Sequence, residues 1–183
     1  MRAMVAMMLA LGAVGCGGGS GNTTADSKES ALATGSSWDA MDACSIMSKS
    51  VVAATLKAEV TSSKLGAVKD GSIGPKYSQC EFTLADGRML VFGTAQDDAN
   101  ISPADQIANT RKQIGMISNQ PPADLPGMGK AALWSGDVHA MYVALGGGRM
   151  VSATVSQVLM GKTAYTGDQA RDDSIALLKH AGA

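Results

Sequence analysis

Histidine, aromatic residues and clustered positive charge are scarce in this sequence, and each scarcity removes a class of function. The two histidines, His139 and His180, are far apart, and neither has a second histidine or a cysteine at metal-ligand spacing. His139 falls in an expected strand beside Asp137. His180 lies three residues from the last residue, where a helix end suits a cation. Both read as surface positions, not as ligands or bases. Aromatics supply 4% of a chain that is 45% hydrophobic, so the core must be aliphatic and methionine-based. Lysine and arginine never cluster and the formal net charge is −1, which excludes the electrostatic footprint of a nucleic-acid binder or of a protein held to anionic lipid by charge.

Other motifs are missing as well. Gly146-Gly147-Gly148 is followed by no Lys-Ser/Thr and opens no helix, so it reads as a hairpin turn and not a phosphate loop. The adjacent acids Asp97-Asp98 and Asp172-Asp173 lack calcium-loop spacing and read as solvated surface. Beyond the first 15 residues the methionines form no Met-x-x-Met or Met-x-Met cluster for copper(I), which leaves them as core filling. No serine sits in a Gly-x-Ser-x-Gly context. No catalytic, cofactor or metal residue is assigned.

What is present begins at residues 1–16, MRAMVAMMLALGAVGC. Arg2 precedes an uncharged apolar run over 3–14, and the small residues Ala13 and Gly15 lead to Cys16. This order is that of a secretory signal, with a core too short to span a bilayer. Its end resembles the lipobox of bacterial lipoproteins, with Ala13 where Leu is usual and Leu11 two residues earlier. The resemblance implies cleavage after residue 15 and a lipid carrying palmitate-type acyl chains on the Cys16 thiol. An ordinary signal cut nearby would instead leave a soluble exported protein. Residues 16–37 are small and polar, without periodicity, and read as a flexible tether with a reach of roughly 25 Å. One globular domain, 38–183, remains. Gly17, where inner-membrane retention calls for Asp, permits either membrane of the envelope.

With Cys16 given to the lipid, Cys44 and Cys80 are left in an oxidising compartment, where a disulfide is expected. Ser48 is a plausible cap for a helix over 48–58, bearing Val52 and Leu56. An irregular piece broken by Gly66, Gly71, Gly74 and Pro75 follows, with room for one short strand. Strands at 77–84 and 89–95 flank Ala85-Asp86-Gly87-Arg88, whose Asp-Gly pair signals a hairpin. Ser102-Pro103-Ala104-Asp105 starts a helix to about 118, with Ile107, Ile114 and Ile117 on one face. Strands are expected at 131–134, 138–145 and 150–159. In the last, Val151, Ala153 and Val155 alternate with Ser152, Thr154 and Ser156, one face buried and one wet. A last helix over 167–181 turns Ile175 and Leu178 inward. The fold class is therefore α+β, an antiparallel sheet of about five strands with helices on one face.

The segment Asp42-Ala43-Cys44-Ser45-Ile46-Met47-Ser48-Lys49-Ser50-Val51-Val52-Ala53-Ala54-Thr55-Leu56 resembles the domain opening of small mycobacterial-type lipoproteins, Asp-x-Cys-x-Leu-Leu-Thr-x-x-Glu-Val-x-x-x-Leu-Gly. Cys80-Glu81-Phe82 fits that family's second cysteine, and Leu125-Pro-Gly-Met-Gly-Lys-Ala-Ala-Leu-Trp134 is similar to its Pro-Gly-Leu-Gly-Asp-x-Ala-x-Trp segment. The likeness covers about residues 39–181. Val51 replaces the family's Glu and removes half of a capping box, and Lys130 replaces its Asp. The resemblance implies this fold, the Cys44–Cys80 disulfide and an envelope address, but no reaction. The functional expectation is a lipid-anchored, non-catalytic envelope domain that binds a protein or a small apolar ligand on its sheet or between sheet and helix. The alternative is a small envelope enzyme or metal carrier without a recognisable motif.

Overall fold

The computed structural model describes residues 38–72, 74–97, 101–157 and 165–183. The expected signal, Cys16, the tether, Asp98 and the strand residues 158–159 lie outside the described residues. In chain order come α1 (Ala43–Ile46), α2 (Lys49–Leu56), β1 (Val60–Asp70), β2 (Lys76–Leu84), β3 (Arg88–Gln96), α3 (Pro103–Gly115), β4 (Ala123–Asp124), β5 (Ala131–Ser135), β6 (Ala140–Gly146), β7 (Arg149–Gln157) and α4 (Gly167–His180). The strands form one sheet in the order β1-β2-β3-β7-β6-β5-β4, with every neighbouring pair antiparallel. Two meanders, β1–β3 and β4–β7, are joined where β3 pairs with β7 from Arg88↔Gln157 to Gln96↔Arg149.

Local sequence sets the boundaries. Ser48 caps α2 by accepting from the Val51 N–H at 3.3 Å, and Lys57 ends it in the left-handed region. Ser102 accepts from the Asp105 N–H at 3.1 Å and Pro103 opens the first turn of α3. Thr166 and Gln169 form a full capping box on α4. The β2–β3 hairpin turns at Gly87 (φ 88°), and Gly146, Gly147 and Gly148 all take positive φ in the β6–β7 hairpin. Gly129 (φ 53°) lies so close to Val143 and the Ala144 carbonyl that a Cβ there would collide with both. That contact seats Met128 in the core.

One sheet face is the main core. Phe82, Leu84, Leu90, Phe92, Met141, Val143, Val151, Ala153 and Val155 meet α1, α2 and α4 through Ile46, Val52, Leu56, Leu177 and Leu178. The Cys44–Cys80 disulfide ties α1 to β2 across a sequence separation of 36. A buried polar chain reinforces it: Ser78 Oγ accepts from the Ala43 N–H at 2.9 Å and pairs with Thr94 Oγ1 at 3.1 Å, and Thr94 Oγ1 lies 3.0 Å from the Ala40 carbonyl. Arg88, at the start of β3, is a second clamp. Its guanidinium binds Asp86, Asp173 of α4 and the Leu56 carbonyl of α2, and lies over the Tyr165 ring.

Several expectations are corrected. The sheet has seven strands, not about five. β1 lacks a two-residue burial rhythm because it is an edge strand, with Leu65 and Val68 exposed and a break in register between Gly66 and Lys69, where Ala67 takes positive φ. The two-residue β4 is too short to leave a pattern. The helices do not share one face: α3 packs on the other, setting Ile107 and Ile114 against Leu133 and Ala144. Ile117 does not join them. The helix stops at Gly115, and Ile117 is left 72% exposed. β6 begins at Ala140, so Val138 and His139 belong to the preceding turn, with His139 at φ 50°. Asp173 is held by Arg88 and by the Tyr165 hydroxyl at 2.6 Å, and is no free surface acid.

Reducing the disulfide should lower stability by about 3–4 kcal/mol, from the restored freedom of the loop it closes. Urea unfolding with and without reductant measures this. A midpoint that does not move on reduction would contradict it.

Candidate functional site

Because α3 packs mainly on β5 and β6, the described residues leave the second face open over β2, β3 and most of β7, and a cleft of about 580 Å³ lies between that open sheet and the flank of α3. The floor follows from strand alternation: residues adjacent to the core positions point the other way. From β2 it takes Tyr77 and Gln79, from β3 Val91 and Ala95, and from β7 Met150, Ser152 and Thr154. Gly93 deepens the floor. A Cβ there would come within 2.5 Å of Ser152 Oγ and 3.7 Å of the Tyr77 ring. Tyr142 of β6 closes the inner end beneath α3.

The wall is a single helix stripe. Gln106, Asn109, Thr110 and Gln113 recur at the three- and four-residue spacing that puts side chains on one face of a helix. All four are uncharged. The N-terminal end of the wall is fixed by the glycine hairpin: the Gly148 carbonyl accepts from Gln106 Nε2 at 2.8 Å and from the Asp97 N–H at 3.0 Å, and Gln96 Nε2 donates to the Gly147 carbonyl at 2.7 Å. The glycine triplet therefore holds a wall of the cleft in place.

One atom stands out. Gln106 is buried, its amide nitrogen is committed to Gly148, and its Oε1 has no hydrogen-bond partner among the described residues. A buried acceptor left unpaired costs about 1–3 kcal/mol. Two charged side chains, Lys69 and Asp97, line the cleft and are of opposite sign. Burial pushes the Tyr77 hydroxyl above its ordinary titration range; the nearby Tyr142 adds to this and a hydrogen bond from Gln79 opposes it. Burial alone raises Tyr142. Both hydroxyls are thus neutral donors and acceptors.

Of the residues singled out in the sequence, Asp97, read there as solvated surface, and Gly148 line the cleft, while the histidines lie elsewhere. His139 stacks on Trp134 with ring centroids 6.3 Å apart, and His180 is exposed at the end of α4. Among the described residues no three His, Cys, Asp or Glu side chains converge to hold a metal ion. Met47, Met128 and Met141 are core residues, but Met116 is 78% exposed and Met150 lines the cleft, so the methionines are not all core filling. Asp137 accepts from the Asn119 and Gln120 N–H groups at 2.7 and 3.0 Å, tying the loop after α3 to the β5–β6 turn. The wet face of β7, with Ser152 and Thr154, is legible in the sequence, but the uncharged stripe on α3 and the β2 residues Tyr77 and Gln79 are not assigned to a site there. The class defined is an α+β domain with a seven-stranded antiparallel sheet and a cleft on its half-covered face. No family model, curated protein or solved structure matches the chain.

A pH dependence follows. Tyr77 and Tyr142 have folded-state pKa values raised above the ordinary 10.0, as does Tyr165, where burial and the Asp173 carboxylate act together. Their contribution to stability is complete below pH 10 and declines above it, as the unfolded chain ionises first. In the native protein, phenolate absorbance should appear only above pH 10. A tyrosine ionising at or below that pH would contradict the burial.

Proposed function

We propose that this chain is a lipid-anchored, non-catalytic binding protein of the bacterial cell envelope, with the cleft between α3 and the open sheet as its ligand site. The observation that carries the reading is the buried, unpartnered Gln106 Oε1 in a cleft walled by amides and hydroxyls. Such a lining offers hydrogen bonds in both directions and suits holding a ligand. It favours a ligand of mixed polarity over the small apolar ligand that the sequence offers beside a protein partner. The anchor rests on the signal-like residues 1–15, the lipobox-like approach to Cys16 and the polar tether. The resemblance to mycobacterial-type lipoproteins supports the same address, as does the disulfide, which suits an oxidising compartment.

Two measurements test the two halves. The protein extracted from membranes should have an intact mass that starts at Cys16 and includes acyl chains; an unacylated mass would refute the anchor. The water-soluble small-molecule fraction of the envelope should raise the melting temperature of the wild-type domain. It should leave Ser152→Trp, which fills the cleft, unchanged. An equal rise in both proteins would refute the cleft as the site.

A further inference from the structure

The chemistry of the lining says more about the ligand. Resting on the cleft being the ligand site, we infer that it takes a neutral sugar ring, free or carried on a larger envelope molecule. The first argument is balance. Each hydroxyl of a sugar both donates and accepts, and the amides of Gln79, Gln106, Asn109 and Gln113 with the hydroxyls of Ser152 and Thr154 offer both functions. Gln106 Oε1, its own nitrogen already bound to Gly148, asks for a donor.

Charge is the second argument. Lys69 and Asp97 contribute opposite signs, so the lining favours neither a phosphate or carboxylate nor a cation. Third, Tyr77 and Tyr142 place two of the chain's three tyrosines in the cleft. Their rings offer apolar area to the carbon face of a pyranose and their hydroxyls a further polar contact. An acyl chain could use the rings but would strand the amides, and a site built to hydrogen-bond strongly rejects a ligand that cannot. The volume of about 580 Å³ lies in the range of small-molecule sites and has room for one or two rings.

The test uses the folded, disulfide-intact chain and three kinds of probe. The first is a panel of free neutral sugars: glucose, mannose, galactose, arabinose, N-acetylglucosamine, maltose and cellobiose. The second is octyl glucoside below micelle formation, standing for a sugar carried on lipid. The third is octanol, the same tail without the sugar. Binding is read by calorimetry and by tyrosine fluorescence. At least one sugar probe should bind in the millimolar range or better, with octanol silent. A free sugar that binds as well as its glycoside marks a soluble source, and a preference for octyl glucoside a lipid-borne one. Asn109→Ala, on the exposed flank of α3, should weaken binding about tenfold. Gln106→Leu should abolish it. Since Gln106 also holds the glycine hairpin, the Asn109 and Ser152→Trp variants, checked for unchanged melting, keep the result interpretable. Octanol binding that Ser152→Trp removes, with every sugar silent, would overturn the sugar inference and leave the cleft as a ligand site. Silence from all probes through the millimolar range would overturn the inference, as would sugar binding indifferent to the cleft variants.

Discussion

A seven-stranded sheet has two faces to shield from water, and the described chain places three helices on one and a single helix on the other. α3, about 20 Å long, packs across β5 and β6 and touches β7 only where that strand starts, through Gly148 and Met150. The rest of that face must tolerate water or a ligand, and its sequence is written accordingly: Tyr77, Gln79, Ser152 and Thr154 stand where a fully covered sheet would carry aliphatic side chains. The cleft is the part of the sheet that the described residues leave uncovered.

The covered face gives the cleft its rigidity. The disulfide pulls α1 onto β2 and the Ser78–Thr94 chain ties the incoming segment to β2 and β3. Arg88 joins the ends of α2 and β3 to α4. These links act on the strands whose opposite sides form the cleft floor. A site built on well-held strands keeps its geometry without a ligand, so Gly93, Ser152 and Tyr77 form a floor in advance of binding. The other wall depends on one hairpin, because the Gly148 carbonyl positions Gln106 and, through Asp97, the end of β3.

How much of this the sequence reveals depends on whether a feature is local. Ser48, Ser102 with Pro103, and the Asp86-Gly87 turn announce themselves because a cap or a tight turn is chosen by a few adjacent residues. The alternation of β7 is clear because one of its faces is dry. β1 is not legible: an edge strand with exposed Leu65 and Val68 has no dry side to impose a rhythm. Nor can the isoleucines of α3 say which face of the sheet they will cover, since an apolar stripe fixes an orientation toward a partner and not the partner's identity. The cleft is less legible still. The stripe from Gln106 to Gln113 looks like any solvated helix flank until Tyr77 and Gln79 of β2 and Ser152 of β7 are brought opposite it.

The proposed envelope address, the stapled core and the half-covered sheet together motivate the proposal that the protein holds something small on its open face. The most direct test of that claim is amide chemical-shift mapping of the domain during titration with the water-soluble small-molecule fraction of the envelope and, separately, with octyl glucoside below micelle formation. The account predicts that Gly93, Ser152 and Tyr142 move together with the side-chain amides of Gln106 and Asn109, while Val52 and Leu177 of the helical face stay still. Shifts confined to the helical face or to the edge of β1, or none at all, would contradict it.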